Sequence, residues 1–259
     1  MQKEDIKFHD SVIFEGMTSI RAIIKGYESG INDRKIEKIL FDKKKLPKIA
    51  KEIGYLRAIS ENFGFYIEES SADELEKITL GTSHGGIVAV TGNRKIPYLD
   101  SDSPIKANGF YAMIEGIEDP YNFGYAIRSL YAMGCDGIIL SERNWLSAAG
   151  VVSRSSAGAS ELTEFYTADP LSAVDVFKCR GYSVICADER TDNLLGECKI
   201  PFPVLLIVGG EKRGISRSLV DCADMLLKID YGREFRASLS AASAATMFAY
   251  EIARQRKLK

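Results

Sequence analysis

The chain has 259 residues, 46% of them hydrophobic, which suits one large or two small globular domains. Lys and Arg total 34 against 36 Asp and Glu, a net charge of −2, so the molecule as a whole is no polycation. No run approaches the ~18 apolar residues of a membrane span, the opening MQKEDIKFHD lacks a signal peptide's apolar stretch, and the five cysteines, without C-x-x-C, read as reduced cytoplasmic thiols.

Residues 19–30 carry Ile20, Ile23, Ile24 and Tyr27 at helical spacing and close at Gly30. Residues 35–41 (KIEKILF) read as a short strand, Leu46–Phe63 as a helix with basic residues outward, and 65–68 as another strand. Ser71 or Asp73 caps a short helix ending at Ile78, and 86–91 (GIVAVT) is a buried strand. Helices alternating with short strands argue a small α/β domain over 1–95. Residues 96–107, with their prolines, charges and small polar residues, read as a linker, leaving 108–259 as a second domain. There, strands at 110–117, 137–140, 162–166, 182–187, 204–208 and 225–229 alternate with helical stretches at 144–160, 170–180 and 219–222. A long helix over 239–256 closes the chain. Apolar strands without alternation, separated by helices, indicate a parallel sheet covered on both faces.

In the first half, Arg34, Lys35, Lys38, Lys43, Lys44, Lys45, Lys48, Lys51 and Arg57 outnumber Glu37, Asp42 and Glu52. This patch is either a solvated helix face or a source of phosphate contacts. The glycine-rich loop 81–86 (GTSHGG) contains His84, which reads more readily as a structural hydrogen-bonder than as a catalyst. With His9 as the only other histidine, a His-based triad or a multi-His metal site is nearly excluded.

Three loops carry the polar residues of the second half. In 117–134 (IEDPYNFGYAIRSLYAMG) an apolar strand breaks at Pro120 and a helix begins near Asn122, with Arg128 on its early turns. A strand ending in polar residues at a helix N-terminus is where open α/β sheets keep their chemistry. The second loop, 209–216 (GGEKRGIS), has the glycine spacing of a phosphate-binding loop, yet Ile215 stands where that loop needs lysine. The third, 232–240 (GREFRASLS), precedes the last helix. No G-x-G-x-x-G follows any strand, which argues against a dinucleotide site.

In this order, D-P-x-N-x-G-x-x-x-R, G-x-E-x-x-G and S-L-x-x-x-x-A-A resemble the SpoU/TrmH family of RNA ribose 2′-O-methyltransferases, of the knotted SPOUT class. The resemblance spans 106–259, and the preceding unit is similar to kink-turn-binding ribosomal proteins. It implies an α/β fold with a C-terminal trefoil-knotted, parallel-sheet methyltransferase domain behind a small α/β RNA-binding domain. It also implies a homodimer and S-adenosylmethionine bent into the knot. Gly209, Ile229 and Leu239 match positions whose backbone holds the cofactor's adenosine portion, with Gly210 and Ser240 beside them. Asn122, Arg128, Glu211 and Ser238 match the family's polar active-site set. Glu211 reads equally well as a helix cap near Gly214. Lys43, Lys44, Lys45, His84, Arg233 and Arg236 are the expected RNA contacts.

Family schemes give removal of the 2′-hydroxyl proton to the arginine matching Arg128. A guanidinium stays protonated under nearly all conditions, so our reading is that Arg128 grips the neighbouring phosphate and stabilises the developing alkoxide. The chain departs from the family three times: Ser240 stands where S-L-N has its amide, Asp230 follows Ile229 in place of proline, putting a carboxylate beside the expected cofactor pocket, and the loop before the last helix carries Arg233 and Arg236, candidate phosphate contacts. The expected reaction is methylation of a ribose 2′-hydroxyl, with ribosomal RNA favoured because a separate N-terminal domain offers a large RNA a second grip. The alternatives are transfer RNA as substrate, or a non-catalytic RNA-binding protein that retains the fold.

Overall fold

The computed structural model describes residues 12–80, 84–141, 148–210, 212–235 and 237–257. The chain separates into two compact units, Met1–Lys95 with Asn144–Leu162, and Ile96–Arg143 with Thr163–Lys259.

The first unit opens with a strand that the sequence pattern did not reveal, β1 (Ile13–Glu15), followed by helix α1 (Gly16–Glu28). Strand β2 (Ile36–Asp42) runs through a single tight turn at Lys43–Lys45, where the Asp42 carboxylate accepts the Lys44 N–H, into α2 (Leu46–Phe63). Strand β3 (Tyr66–Ser70), helix α3 (Ala72–Ile78) and strand β4 (Ile87–Thr91) follow. Ser71 caps α3 in a reciprocal box, its hydroxyl accepting the Glu74 N–H while the Glu74 carboxylate accepts the Ser71 N–H. The sheet order is β1-β4-β2-β3, antiparallel except for the β2–β3 pair. Apolar faces of α1 (Ile20, Ile23, Ile24) and α2 (Ile49, Ile53, Leu56) close over Phe14, Ile39, Phe41 and Ala89.

The second unit starts its sheet at β5 (Phe110–Glu115), then α4 (Pro120–Ala132) and β6 (Gly137–Leu140). Helix α4 begins at Pro120 and not near Asn122 as expected. Proline's fixed φ and missing N–H suit the first helical position, and the Asp119 carboxylate accepts the Tyr121 N–H as the cap. Next come α5 (Ala149–Ser155) and α6 (Ala159–Leu162), which belong to the first unit. This corrects the expectation that 108–259 is one uninterrupted domain. The chain continues through β7 (Phe165–Thr167), α7 (Pro170–Cys179), β8 (Ser183–Ala187), β9 (Val204–Gly209), α8 (Arg217–Asp221), β10 (Met225–Leu227) and α9 (Ala241–Lys257). All six strands are parallel, in the order β10-β8-β9-β5-β6-β7. Tyr111, Phe177 and Tyr182 pack ring against ring at 4.9–5.9 Å beneath it, and Thr246 of α9 donates to the Ser129 hydroxyl of α4 at 2.7 Å.

A buried polar cluster fixes α5 and α6 in the first unit. Arg34, 2% exposed, donates to the Glu161 carboxylate at 3.0 Å and to the Gly92 carbonyl at 2.9 Å, and lies over the Phe14 ring. Asn32 donates to the Glu161 carbonyl, and Arg94 to the carbonyls of Ser160 and Ile31. Arg34 is therefore no part of the basic surface that the sequence suggested. Breaking this pair from one side, by Arg34→Met or Glu161→Gln, leaves a buried charge or donor unmatched. Each is expected to cost about 3–5 kcal/mol, with the double apolar replacement costing less; urea unfolding of the full chain measures both.

His84 is also corrected. Its side chain is buried and its Nδ1 accepts the Gly86 N–H at 3.1 Å, so it offers no surface to an RNA. Burial, then the nearby Lys45 ammonium, lowers its pKa. The unfolded chain thus binds the proton more readily, and stability present above about pH 6.5 declines as the pH falls through that value. Urea midpoints should drop more between neutral and mildly acidic pH in the wild type than in His84→Gln.

Candidate functional site

Three parallel strands, β8, β9 and β10, end side by side, and their carboxyl-end loops enclose a cavity of about 410 Å³. Its walls come from residues 187–190, 208–210, 213–215 and 227–229, with Tyr231, Ser238, Leu239 and the first turns of α9 (Ala241, Ala244, Phe248). Ligands in open α/β sheets bind at such strand ends.

The local sequence explains the shape. Strand β9 is apolar through Val208 and then presents two glycines. A side chain on Gly209 would collide with the backbone of Gly214 and Ile215, and one on Gly210 with the Gly116 carbonyl. The loop folds back tightly: Gly210 N–H donates to the Glu115 carbonyl and Gly214 N–H to the Gly210 carbonyl. The Glu115 carboxylate accepts the Ser216 N–H at 2.9 Å, and Lys212 pairs with Glu118 at 2.5 Å across the two loops. Beyond β10, the Tyr231 hydroxyl accepts the Leu239 N–H at 3.3 Å, holding the segment before α9 over the cavity. On the rim, Arg190 donates twice to the Asp188 carboxylate, at 2.8 and 2.6 Å. That hydrogen bond holds the Asp188 carboxyl below its ordinary range.

Ile215, Leu227, Ile229, Leu239 and Phe248 supply apolar walls, while at Gly209 and Gly210 the wall is main chain without side chains. Among the described residues, no group of three His, Cys, Asp or Glu is gathered to hold a metal ion. Apolar walls with convergent backbone polar groups suit a flat heteroaromatic ligand.

Of the residues singled out from the sequence, Gly209, Gly210, Ile229, Ser238 and Leu239 line this cavity together. Ser240 does not; its hydroxyl accepts the Ser243 N–H at 3.2 Å and so caps α9. Asp230 does not either. It lines an adjoining groove with Leu195, Thr246, Met247, Tyr250 and Glu251, and Ile229 lines both that groove and the cavity. Asn122 is half-buried in the first turn of α4, and Arg128 is exposed farther along that helix; neither is among the cavity's lining residues. Arg233 is exposed on the loop before α9. Lys43 and Lys44 are exposed in the first unit, and Lys45 is half-buried, its side chain lying across Gly86. Glu211 and Arg236 lie outside the described residues. The sequence reading missed Asp188 and Arg190, although their place at the carboxyl end of an apolar strand was the available signal, and it missed Arg213, Tyr231 and Phe248.

Comparison with known proteins agrees with this geometry. The 23S rRNA (guanosine-2′-O-)-methyltransferase RlmB of Shewanella oneidensis is 26% identical over 99% of this chain and 100% of its own. A tRNA/rRNA methyltransferase of Mycolicibacterium gilvum is 29% identical over 75% of this chain, which spans 63% of that longer protein. In fold, the chain is similar to the SpoU methyltransferase AviRb of Streptomyces viridochromogenes, crystallised with AdoMet: TM-score 0.77, 23% identity, 95% of this chain and 90% of that one. The sequence model of the SpoU rRNA methylase family matches residues 109–250, which take in the α4 turn, both glycines and most of α9, and the chain belongs to that family.

Proposed function

We propose that this chain transfers a methyl group from S-adenosylmethionine to a ribose 2′-hydroxyl of RNA, with ribosomal RNA favoured over transfer RNA. The observation that carries the reading is the convergence of Gly209, Gly210, Ile229, Ser238 and Leu239, drawn from three separate loops, on one apolar-walled cavity. The cavity fits the cofactor. The glycine pair lets the loop backbones pack close enough to form one wall of the cavity, and Ile215, Leu227, Ile229, Leu239 and Phe248 give it apolar walls that suit an adenine. The full-length match to a 23S rRNA methyltransferase, which includes the first unit, supports ribosomal RNA.

Bound there, S-adenosylmethionine supplies an electrophilic methyl group on a positive sulfur. The chain's own task is to hold and orient. The backbone of Gly209, Ile229 and Leu239 is assigned the adenosine portion, with Gly210 alongside. Ser238, Asn122 and Glu211 are assigned the polar side of the reaction centre. Arg128 is assigned the RNA phosphate and the charge developing on the attacking ribose oxygen. Exposed Lys43 and Lys44, with Lys48 and Lys51 on α2, are assigned the RNA backbone.

A homodimer completing each site is supported by the outer face of α4, where Tyr121 and Tyr125, each about half exposed, share a stripe with Arg128. Arg128 lies outside its own chain's cavity lining, which suits a role in a neighbour's site. A trefoil knot is supported by two sets of bonds between the 188–203 crossover and the chain's final segment. Lys228 exchanges backbone hydrogen bonds with Asn193 and Leu195, and Gln255 bonds to Cys198 and Ile200.

Calorimetry with S-adenosylmethionine and transfer of labelled methyl to RNA from cells lacking the gene test the reading. No binding at millimolar cofactor would reject it in favour of an RNA-binding protein without turnover. Arg128→Ala should lower turnover by about a hundredfold or more while leaving cofactor affinity nearly unchanged. Mixing Arg128→Ala with the cavity-blocking Leu239→Arg should restore activity if sites are shared between two copies; mixtures as inactive as their parts would reject sharing.

A further inference from the structure

Phe235 is 53% exposed on the loop between β10 and α9, among exposed polar neighbours. Its ring stands edge-to-face on Tyr231, with centroids 6.0 Å apart and planes at 66°. Tyr231 lines the cavity and is tied to it by the Leu239 N–H. An isolated exposed apolar residue needs no explanation, but this ring is braced on a residue of the cavity wall and still stays about half exposed. Arg233, two residues earlier, is exposed, and Arg213 lines the cavity's rim. An exposed aromatic ring, with Arg233 exposed two residues away and Arg213 among the cavity's lining residues, matches one ligand chemistry well, a nucleobase with its phosphate. A protein partner would want a continuous apolar patch, and Gly232, Arg233 and Glu234 beside Phe235 are all exposed and provide none.

We propose that Phe235 is the stacking platform for an unpaired nucleobase at the mouth of the cavity, with Arg233 holding the adjoining phosphate. The proposal rests on the cavity as the methyl-transfer site and adds the substrate's form: a nucleotide free of its own helical stack, in a loop, bulge or end. A base within a duplex has both faces covered and cannot occupy the platform.

The test uses the full chain and two probes, a labelled oligoadenylate and the same strand paired with oligouridylate. Phe235→Ala should weaken single-strand binding about tenfold and duplex binding hardly at all. Phe235→Trp should restore it, with new indole emission quenched by the single strand and not by the duplex. Affinity for S-adenosylmethionine, read by calorimetry, should not move in either variant. The proposal is overturned if Phe235→Ala binds the single strand like the wild type, if both probes weaken equally, or if cofactor affinity falls by the same factor, which would make the ring a wall of the cavity. A wild-type chain that binds no cofactor, while the tryptophan variant is still quenched by oligoadenylate, would sink the methyl-transfer reading and leave the platform standing.

Discussion

Strands β5 and β9 stay paired to their last residues, with Glu115 opposite Gly209, and this pairing forces two loops to leave the sheet at the same point. They fit there because positions 116, 209 and 210 carry no side chains, so the backbones of the two loops pass in contact. The Glu115 carboxylate then takes the Ser216 N–H and turns the second loop back on itself. One wall of the cavity is therefore main chain, fixed by backbone bonds from the Gly210 and Gly214 N–H groups together with the Glu115 carboxylate. A side chain at Gly209 or Gly210 would push the loops apart and open the cavity sideways, while one at Gly116 would have to hold a left-handed φ of +79°.

The first unit is held by a different kind of constraint. Arg34, Asn32, Arg94 and Glu161 are all buried, and their donors meet carbonyls and one carboxylate instead of water. Such a cluster contributes little net stability compared with apolar packing of the same volume, but it tolerates few alternative partners. Residues 148–162 carry many small side chains, which would slide against a purely apolar surface. Gly150 lies so close to the Ile13 carbonyl, and Gly158 to Ala22, that only glycine fits. Polar matching supplies the register that these small side chains cannot.

Most of the second unit was legible because a parallel sheet writes itself as apolar runs between helices. The boundaries of β6 and α2 were read without error, since glycine, proline and lysine mark them clearly. The start of α4 was misplaced because Pro120 was read as a helix breaker, although at the first helical position it is a starter. Strand β1 was missed because three residues are too few to show a period. The grouping of 144–162 with the first unit rests on partners more than a hundred residues away in sequence, which local pattern does not reveal. His84 and Arg34 show the same limit. A titratable residue on a loop looks the same in sequence whether it faces solvent or closes a buried network.

The candidate site was legible in its loops and not in its geometry, and the difference bears on chemistry. The cavity gathers apolar walls and backbone, with Arg190 already engaged by Asp188 at its rim. It is equipped to hold a ligand, and among the described residues its titratable side chains other than arginine are Asp188, engaged by Arg190, with Glu189, Lys228 and Tyr231. Asn122 and Arg128 stand on α4, outside that lining. In the proposed reaction, holding the methyl donor and receiving charge from the ribose then fall to separate surfaces, joined through the contact of α4 with α9 and through the loop before α4, where Glu118 meets Lys212. On this division the departure at Ser240 loses its weight, since it closes a helix end, whereas Asp230 stays beside Ile229 in a groove that shares that residue with the cavity. A residue that breaks a family pattern matters through the wall it occupies, and Ser240 occupies none of this cavity's walls.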